Sequence, residues 1–163
     1  MKPCALTIPG KPLTWARAKA NFRRGRGKPV YYTADDRRAK MEEITYLWRV
    51  AGHGILEGPI SAEIEFLFRR PNGQFNAAGQ VRPQAVGLRP GRGTNGGDID
   101  NLVKIVLDAL NTVAYADDLQ IAELWTRKRY AGAQETPETR VVLTELTEAP
   151  MVSDGQLTLP AFT

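Results

Sequence analysis

Residues 96–118 read GGDIDNLVKIVLDALNTVAYADD. Apolar side chains recur every three to four positions, which predicts an amphipathic helix over about residues 100–113. Leu102, Val106, Ala109, Leu110 and Val113 fall on one face, and Asp100, Lys104, Asp108 and Asn111 on the other. On both sides of the helix the period changes to two. Upstream, GPISAEIEFLFRRP (58–71) sends Ile60, Ala62, Ile64, Phe66 and Phe68 one way and Ser61, Glu63 and Glu65 the other, which predicts a strand with one solvated face. Downstream, LQIAELWTRKRYA (119–131) and PETRVVLTEL (137–146) are predicted strands.

Two further elements precede these. CALTIPG (4–10) is a short first strand closed by Pro9-Gly10. Thr33 is placed to cap a helix over about residues 34–51, with Met41, Ile44, Leu47 and Trp48 on one face and Gly52 and Gly54 at its end. The order β-α-β-α-β-β implies an α+β fold, with two helices packed on one mixed sheet. A single domain is expected over residues 1–147, with long loops at 11–33 and 71–97. The second loop is rich in Gly and Pro and reads as mobile. Residues 148–163 are expected to be a loosely attached tail.

The chain has 163 residues and a net charge of +4, and the charge is unevenly spread. Residues 1–40 carry eleven Lys/Arg against Asp35 and Asp36, whereas residues 41–163 carry eleven basic and sixteen acidic side chains. A basic front end points to a polyanion, nucleic acid first. The loop 11–33 interleaves Arg17, Lys19, Arg23, Arg24, Arg26 and Lys28 with Trp15, Phe22, Tyr31 and Tyr32. Such a set offers cations to phosphates and rings to unpaired bases. Arg127 and Arg129 fall on one face of their strand with Trp125, and Lys128 on the other; the two arginines are expected to be secondary DNA contacts. Cys4 is the only cysteine, which excludes an intrachain disulfide and a cysteine metal cluster. No apolar run approaches the roughly 18 residues of a membrane span, so no membrane partner is expected and a cytoplasmic setting is.

The aspartates need an explanation in a basic chain. Taken one at a time, each has a structural one. Asp98 or Asp100 caps the helix; Asp100, Lys104 and Asp108 form an exposed ladder worth about 0.2–0.5 kcal/mol per pair; Asp117-Asp118 makes a turn. One arrangement accounts for them together. If the chain folds back after the helix, Asp118 approaches Asp98 and Asp100, and three carboxylates converge on a hard cation such as Mg²⁺. Lys104 would then stand beside a scissile phosphate, which describes a phosphodiester-cleaving site. An EF-hand starting at Asp98 fails, because Val103 and Ala109 occupy the positions that need Gly and Glu. YADD (115–118) has the form of a polymerase palm turn, but 163 residues leave no room for fingers and thumb.

The run DIDNLVKIVLDAL…DD resembles the RusA family of Holliday-junction resolvases, whose pattern is D-x-D-N-L-x-K-x-x-x-D-A-L followed by D-D. Asp98, Asp100, Asn101, Leu102, Lys104, Asp108, Ala109, Leu110, Asp117 and Asp118 match it, and LTIPGKPLTWARAK looks like the family's first strand and Pro-rich loop. The resemblance implies a crossover junction endodeoxyribonuclease of DNA recombination and repair. It implies Asp98, Asp100 and Asp118 as catalytic metal ligands for Mg²⁺, with Mn²⁺ as a substitute, and Lys104 as the catalytic lysine. Asn101, Asp108 and Asp117 would stand behind the ligands as supporting groups. Family members are homodimers acting on four-way junctions, common in phages and prophages, so a host-cell cytoplasm and phage origin are expected. Gly96-Gly97 stands where members often carry basic residues, leaving Arg92 as the nearest cation for DNA. Two other expectations stay open: a nuclease for flaps or forks, and a non-catalytic junction binder.

Overall fold

The computed structural model describes residues 3–13, 34–91, 97–132 and 134–146. Thr33, the cations Arg17, Lys19, Arg23, Arg24, Arg26, Lys28 and Arg92, and the tail 148–163 lie outside the described residues. The elements are β1 (Cys4–Pro9), α1 (Ala34–Val50), β2 (Ile60–Phe68), α2 (Ile99–Leu110), β3 (Ile121–Tyr130) and β4 (Glu138–Glu145). This is the expected α+β order.

The strands form one sheet in the order β1-β4-β2-β3. β4 pairs antiparallel with both β1 and β2, whereas β2 and β3 are parallel. A parallel pair needs a crossover, and α2 supplies it. Register places Cys4, Leu6 and Ile8 of β1, the even residues of β2, Ile121 and, past a bulge, the even residues 124–130 of β3, and Thr139, Val141 and Leu143 of β4 on one face. The helices cover that face. Ile44 and Trp48 of α1 and Leu102, Val106 and Leu110 of α2 are buried there against Ile8, Ile60, Ile64 and Phe66. Each such side chain contributes about 1.5–3 kcal/mol on leaving water. Thr45 ties the helices together, donating its hydroxyl to the Ala109 carbonyl at 2.9 Å. Gly52, at φ +72, turns the chain out of α1.

Three features depart from the sequence pattern. The far face of β2 is not uniformly solvated, because Glu65 is 8% exposed and Leu67 is buried. Glu65 lies opposite Arg127 on one side and Arg140 on the other, and these long side chains close over it. Next, α2 buries a wider arc than the expected apolar face, since Val103 and Ile105 are also buried. Finally, residues 71–91 hold more local structure than their composition suggests. Short 3₁₀ turns at Asn72–Gln74 and Pro83–Ala85 flank a bridge between Phe75 and Val81. Asn76 and Gln80 close the tip, where the Asn76 side chain accepts from the Gln80 amide at 2.9 Å and Gly79 takes φ +74.

Candidate active site

The exposed stripe of α2 carries Asp100, Lys104 and Asp108, one helical turn apart. Between this stripe and β3 lies a cleft of about 510 Å³. Asp118 lines it from the turn before β3, and Val103, Leu107 and Leu124 give it an apolar side. Thr126 stands in the wall, its Oγ1 buried and without a hydrogen-bond partner among the described residues.

Asp118 reaches the cleft because the chain after α2 is tightly anchored. Tyr115 is fully buried, and its hydroxyl donates to the Leu107 carbonyl at 2.8 Å. Burial raises that hydroxyl above its ordinary pKa, and the nearby charges of Asp118 and Asp108 raise it further, so Tyr115 stays a protonated donor. Asp117 then caps the short turn Asp118–Gln120, accepting from the Leu119 amide at 2.9 Å. Gln120 closes the turn from both ends. Its Oε1 accepts from the Ala116 and Asp117 amides, and its Nε2 donates to the Leu56 and Gly58 carbonyls. Asp117 is therefore committed to backbone, while Asp118 beside it faces the cleft. Gln120 was missed by sequence reasoning, although Asp117-x-x-Gln120 is a capping-box spacing.

At the other end of the cleft, Asp98 occupies the N-cap of α2 in extended conformation. Its carbonyl accepts from Leu102 at 3.1 Å, yet its side chain makes no capping bond. The capping explanation thus fails for Asp98. Lys128 donates to the Gly97 carbonyl at 2.6 Å and pins the approach to the helix against β3. Asn101 is half-buried in the first turn. Asp100, Lys104, Asp108 and Asp118 all line the cleft. Asp98 is not among its lining residues and sits one position before Ile99, which is.

Arg127 and Arg129 are not brought to this cleft. Leu124 and Thr126 share the helix-covered face of β3, so the alternating Arg127 and Arg129 lie on the opposite face. There both arginines bind Glu65, and Arg129 also binds Glu135. Arg127 additionally stacks 5.1 Å over Trp125. Lys128, between them, faces the cleft side.

These positions can be set beside known proteins. The family model described as endodeoxyribonuclease RusA matches residues 9–144. The chain belongs to this family. Its match spans α1, β2, α2 and β3 entirely and β4 but for its last residue, and takes only Pro9 of β1. The chain is also 29% identical over 144 residues to "Uncharacterized protein YqaN" of Bacillus subtilis (strain 168), covering 86% of this chain and 94% of that protein. Family membership supports an endodeoxyribonuclease activity on DNA. Among the described residues, no helix is long and apolar enough to cross a membrane.

The cleft suits a hard divalent ion by its donor set. Asp100, Asp108, Asp118 and Thr126 offer oxygen alone. Among the described residues no group of three or more His, Cys, Asp or Glu side chains forms a ready-made metal cage. Asp100 and Asp108 are eight residues apart, which is about 12 Å of helix axis. Mg²⁺ is commonly held by one or two carboxylates, with waters and substrate phosphates completing its shell, so the residues present fit an ion whose coordination the substrate finishes.

Proposed function

We propose that this RusA-family chain is a Mg²⁺-dependent, structure-selective endodeoxyribonuclease that resolves four-way DNA junctions as a homodimer. The observation that carries this reading is the stripe Asp100–Lys104–Asp108 facing Asp118 across one cleft. Like charges gathered at an exposed recess do little for folding, and they suit a cation and a phosphate.

In this reading Asp98, Asp100 and Asp118 bind the ion once ion and substrate draw them together, and Asp108 lies about two turns beyond Asp100 along α2. When bound, the ion supplies Lewis acidity toward a phosphoryl oxygen and an activated water. Lys104 sets its ammonium against the charge that builds on the scissile phosphate. Asp117 and Gln120 fix the backbone under Asp118, and Lys128 fixes the backbone before Asp98. A two-fold dimer suits a two-fold junction, since each cleft meets one of two symmetry-related strands.

Purified protein incubated with a synthetic four-way junction and Mg²⁺ or Mn²⁺ is expected to produce paired nicks at symmetric positions. Equal rates on flaps and forks would replace the junction with branched DNA in general. Binding without cleavage by the wild-type chain would replace the nuclease with a junction binder. A light-scattering mass near 18.0 kDa rather than twice that would remove the dimer.

A further inference from the structure

A second and larger cleft, of about 950 Å³, opens at the end of the sheet where β1 and β2 finish and β4 begins. Lys11, Arg69 and Arg70 line it, with Asn72 and Thr136 as further polar groups, and no Asp or Glu is among its lining residues. Lys11 and Arg69 are exposed. Among the described residues, neither meets a carboxylate. Arg70 is held in place. Its Nη1 donates to the Gln74 side chain at 2.9 Å and to the Ala85 carbonyl at 2.8 Å, and its guanidinium lies 4.8 Å over the Tyr130 ring. These partners fix a full positive charge in the wall without neutralising it, so little side-chain freedom is left to lose on binding an anion.

We infer that this cleft holds the sugar-phosphate backbone of a DNA arm leaving the carboxylate cleft, an inference that rests on the nuclease reading above. Position supports the link. The Ala131 amide donates to the Phe68 carbonyl at 2.8 Å, so the end of β3 borders the basic cleft. Two residues earlier than Tyr130, Lys128 pins Gly97 at the entry to α2. The basic cleft and the Asp98 end of α2 are thus at the same end of the β2–β3 pair. Lys11 is also the first cation of the basic run that continues through Lys28. Phe68 is 2% exposed and unable to stack on a base, so the cleft reads charge rather than sequence.

The test is binding, measured by fluorescence anisotropy of a labelled four-way junction in EDTA over a series of salt concentrations. Wild type is compared with Lys11→Ala/Arg69→Ala and with Arg69→Gln. The double variant is expected to bind on the order of 10-fold more weakly, and its slope of log K against log salt should fall by roughly 1.8, or about 0.9 per lost phosphate contact. Arg69→Gln should give about half that change in slope. An unchanged affinity and slope in the double variant would overturn the inference. So would displacement of the junction by polyglutamate as readily as by unlabelled DNA of equal charge, which would make the cleft a site for acidic peptide. The inference and the nuclease reading fail separately: a wild-type chain that binds but never cuts sinks only the latter, and a cutting wild type with unaltered variants sinks only the former.

Discussion

The two faces of the sheet treat their carboxylates in opposite ways. On the face turned away from the helices, Glu65 is 8% exposed and is gripped by Arg127, Arg129 and Arg140. Burial works against its charge, but the bonds from Arg129 and Arg127 outweigh that, and its carboxyl is held below the ordinary value. On the helix-covered face, Asp100 and Asp118 are exposed at the rim of a cleft with an apolar side. The first arrangement satisfies its charges within the fold. The second presents them to whatever enters. One sheet therefore separates a stabilising charge network from a candidate reaction site, and mutations on the two faces should fail in different assays.

The sharpest break in this comparison comes from the cleft. Asp100→Asn and Asp118→Asn should each lower junction cleavage by a factor on the order of 10³ or more, as expected when a metal ligand is lost. Their urea midpoints should stay close to wild type, because exposed positions away from packing contribute within about 0.5 kcal/mol. DNA affinity should hold or rise, since negative charge facing phosphate is removed. Lys104→Ala comes next, with a loss of about 10² in the single-turnover rate at saturating protein and only a small change in affinity. If Lys104→Ala recovers fully at saturation, the lysine belongs to binding rather than to the reacting phosphate.

On the other face the order of effects reverses. Glu65→Gln leaves three arginines around an uncharged amide and should destabilise the fold by about 2 kcal/mol, read from urea denaturation, while the cleavage rate of the folded fraction is unchanged. A smaller effect, about 1 kcal/mol, is expected for Gln120→Ala, which strips partners from the amides and carbonyls around Asp118. Gln120→Ala bridges the two assays. A fall in cleavage out of proportion to its stability loss would show that the turn aims Asp118.

Much of this was legible in the sequence. The element order followed from changes of period, because even residues of β2 and one arc of α2 must bury together. The charged stripe of α2 was visible for the same reason: i, i+4 and i+8 share a face at any helix position. Less accessible was the fate of each charge. Glu63 and Glu65 look alike in an alternating strand, and only the register that sets Arg127 and Arg140 beside Glu65 separates them. That Arg127 and Arg129 pair with Glu65 was likewise hidden without that register. Lys128 looked like the odd member of RKR, yet it is the one that reaches the cleft side, through a backbone carbonyl no periodicity reveals. The basic cleft escaped notice because Lys11, Arg69 and Thr136 are far apart in the chain and meet only at the end of the sheet.

The smallest effect concerns acid. Glu135 accepts from Arg129 and from the Gly132 amide, and these bonds hold its carboxyl down to about 2, against an ordinary value of 4.5. A carboxylate whose pKa is lower in the folded chain than in the unfolded one stabilises the fold fully above the unfolded value. That contribution is lost as pH falls from about 4.5 through about 2. Wild-type stability should therefore decline across this window, and Glu135→Gln should decline less steeply, starting from a slightly lower value at neutral pH. Glu135 and Arg129 both retain contact with water, so screening keeps the difference at neutral pH below about 1 kcal/mol. Glu65 is shifted in the same direction, and its share of the decline should remain in the variant. Urea midpoints at a series of pH values between 2 and 7 give the measurement. Parallel curves for wild type and Glu135→Gln would show that the Arg129 pairing adds nothing to folding, and that Glu65 and Glu138 carry the charge network of the face turned away from the helices.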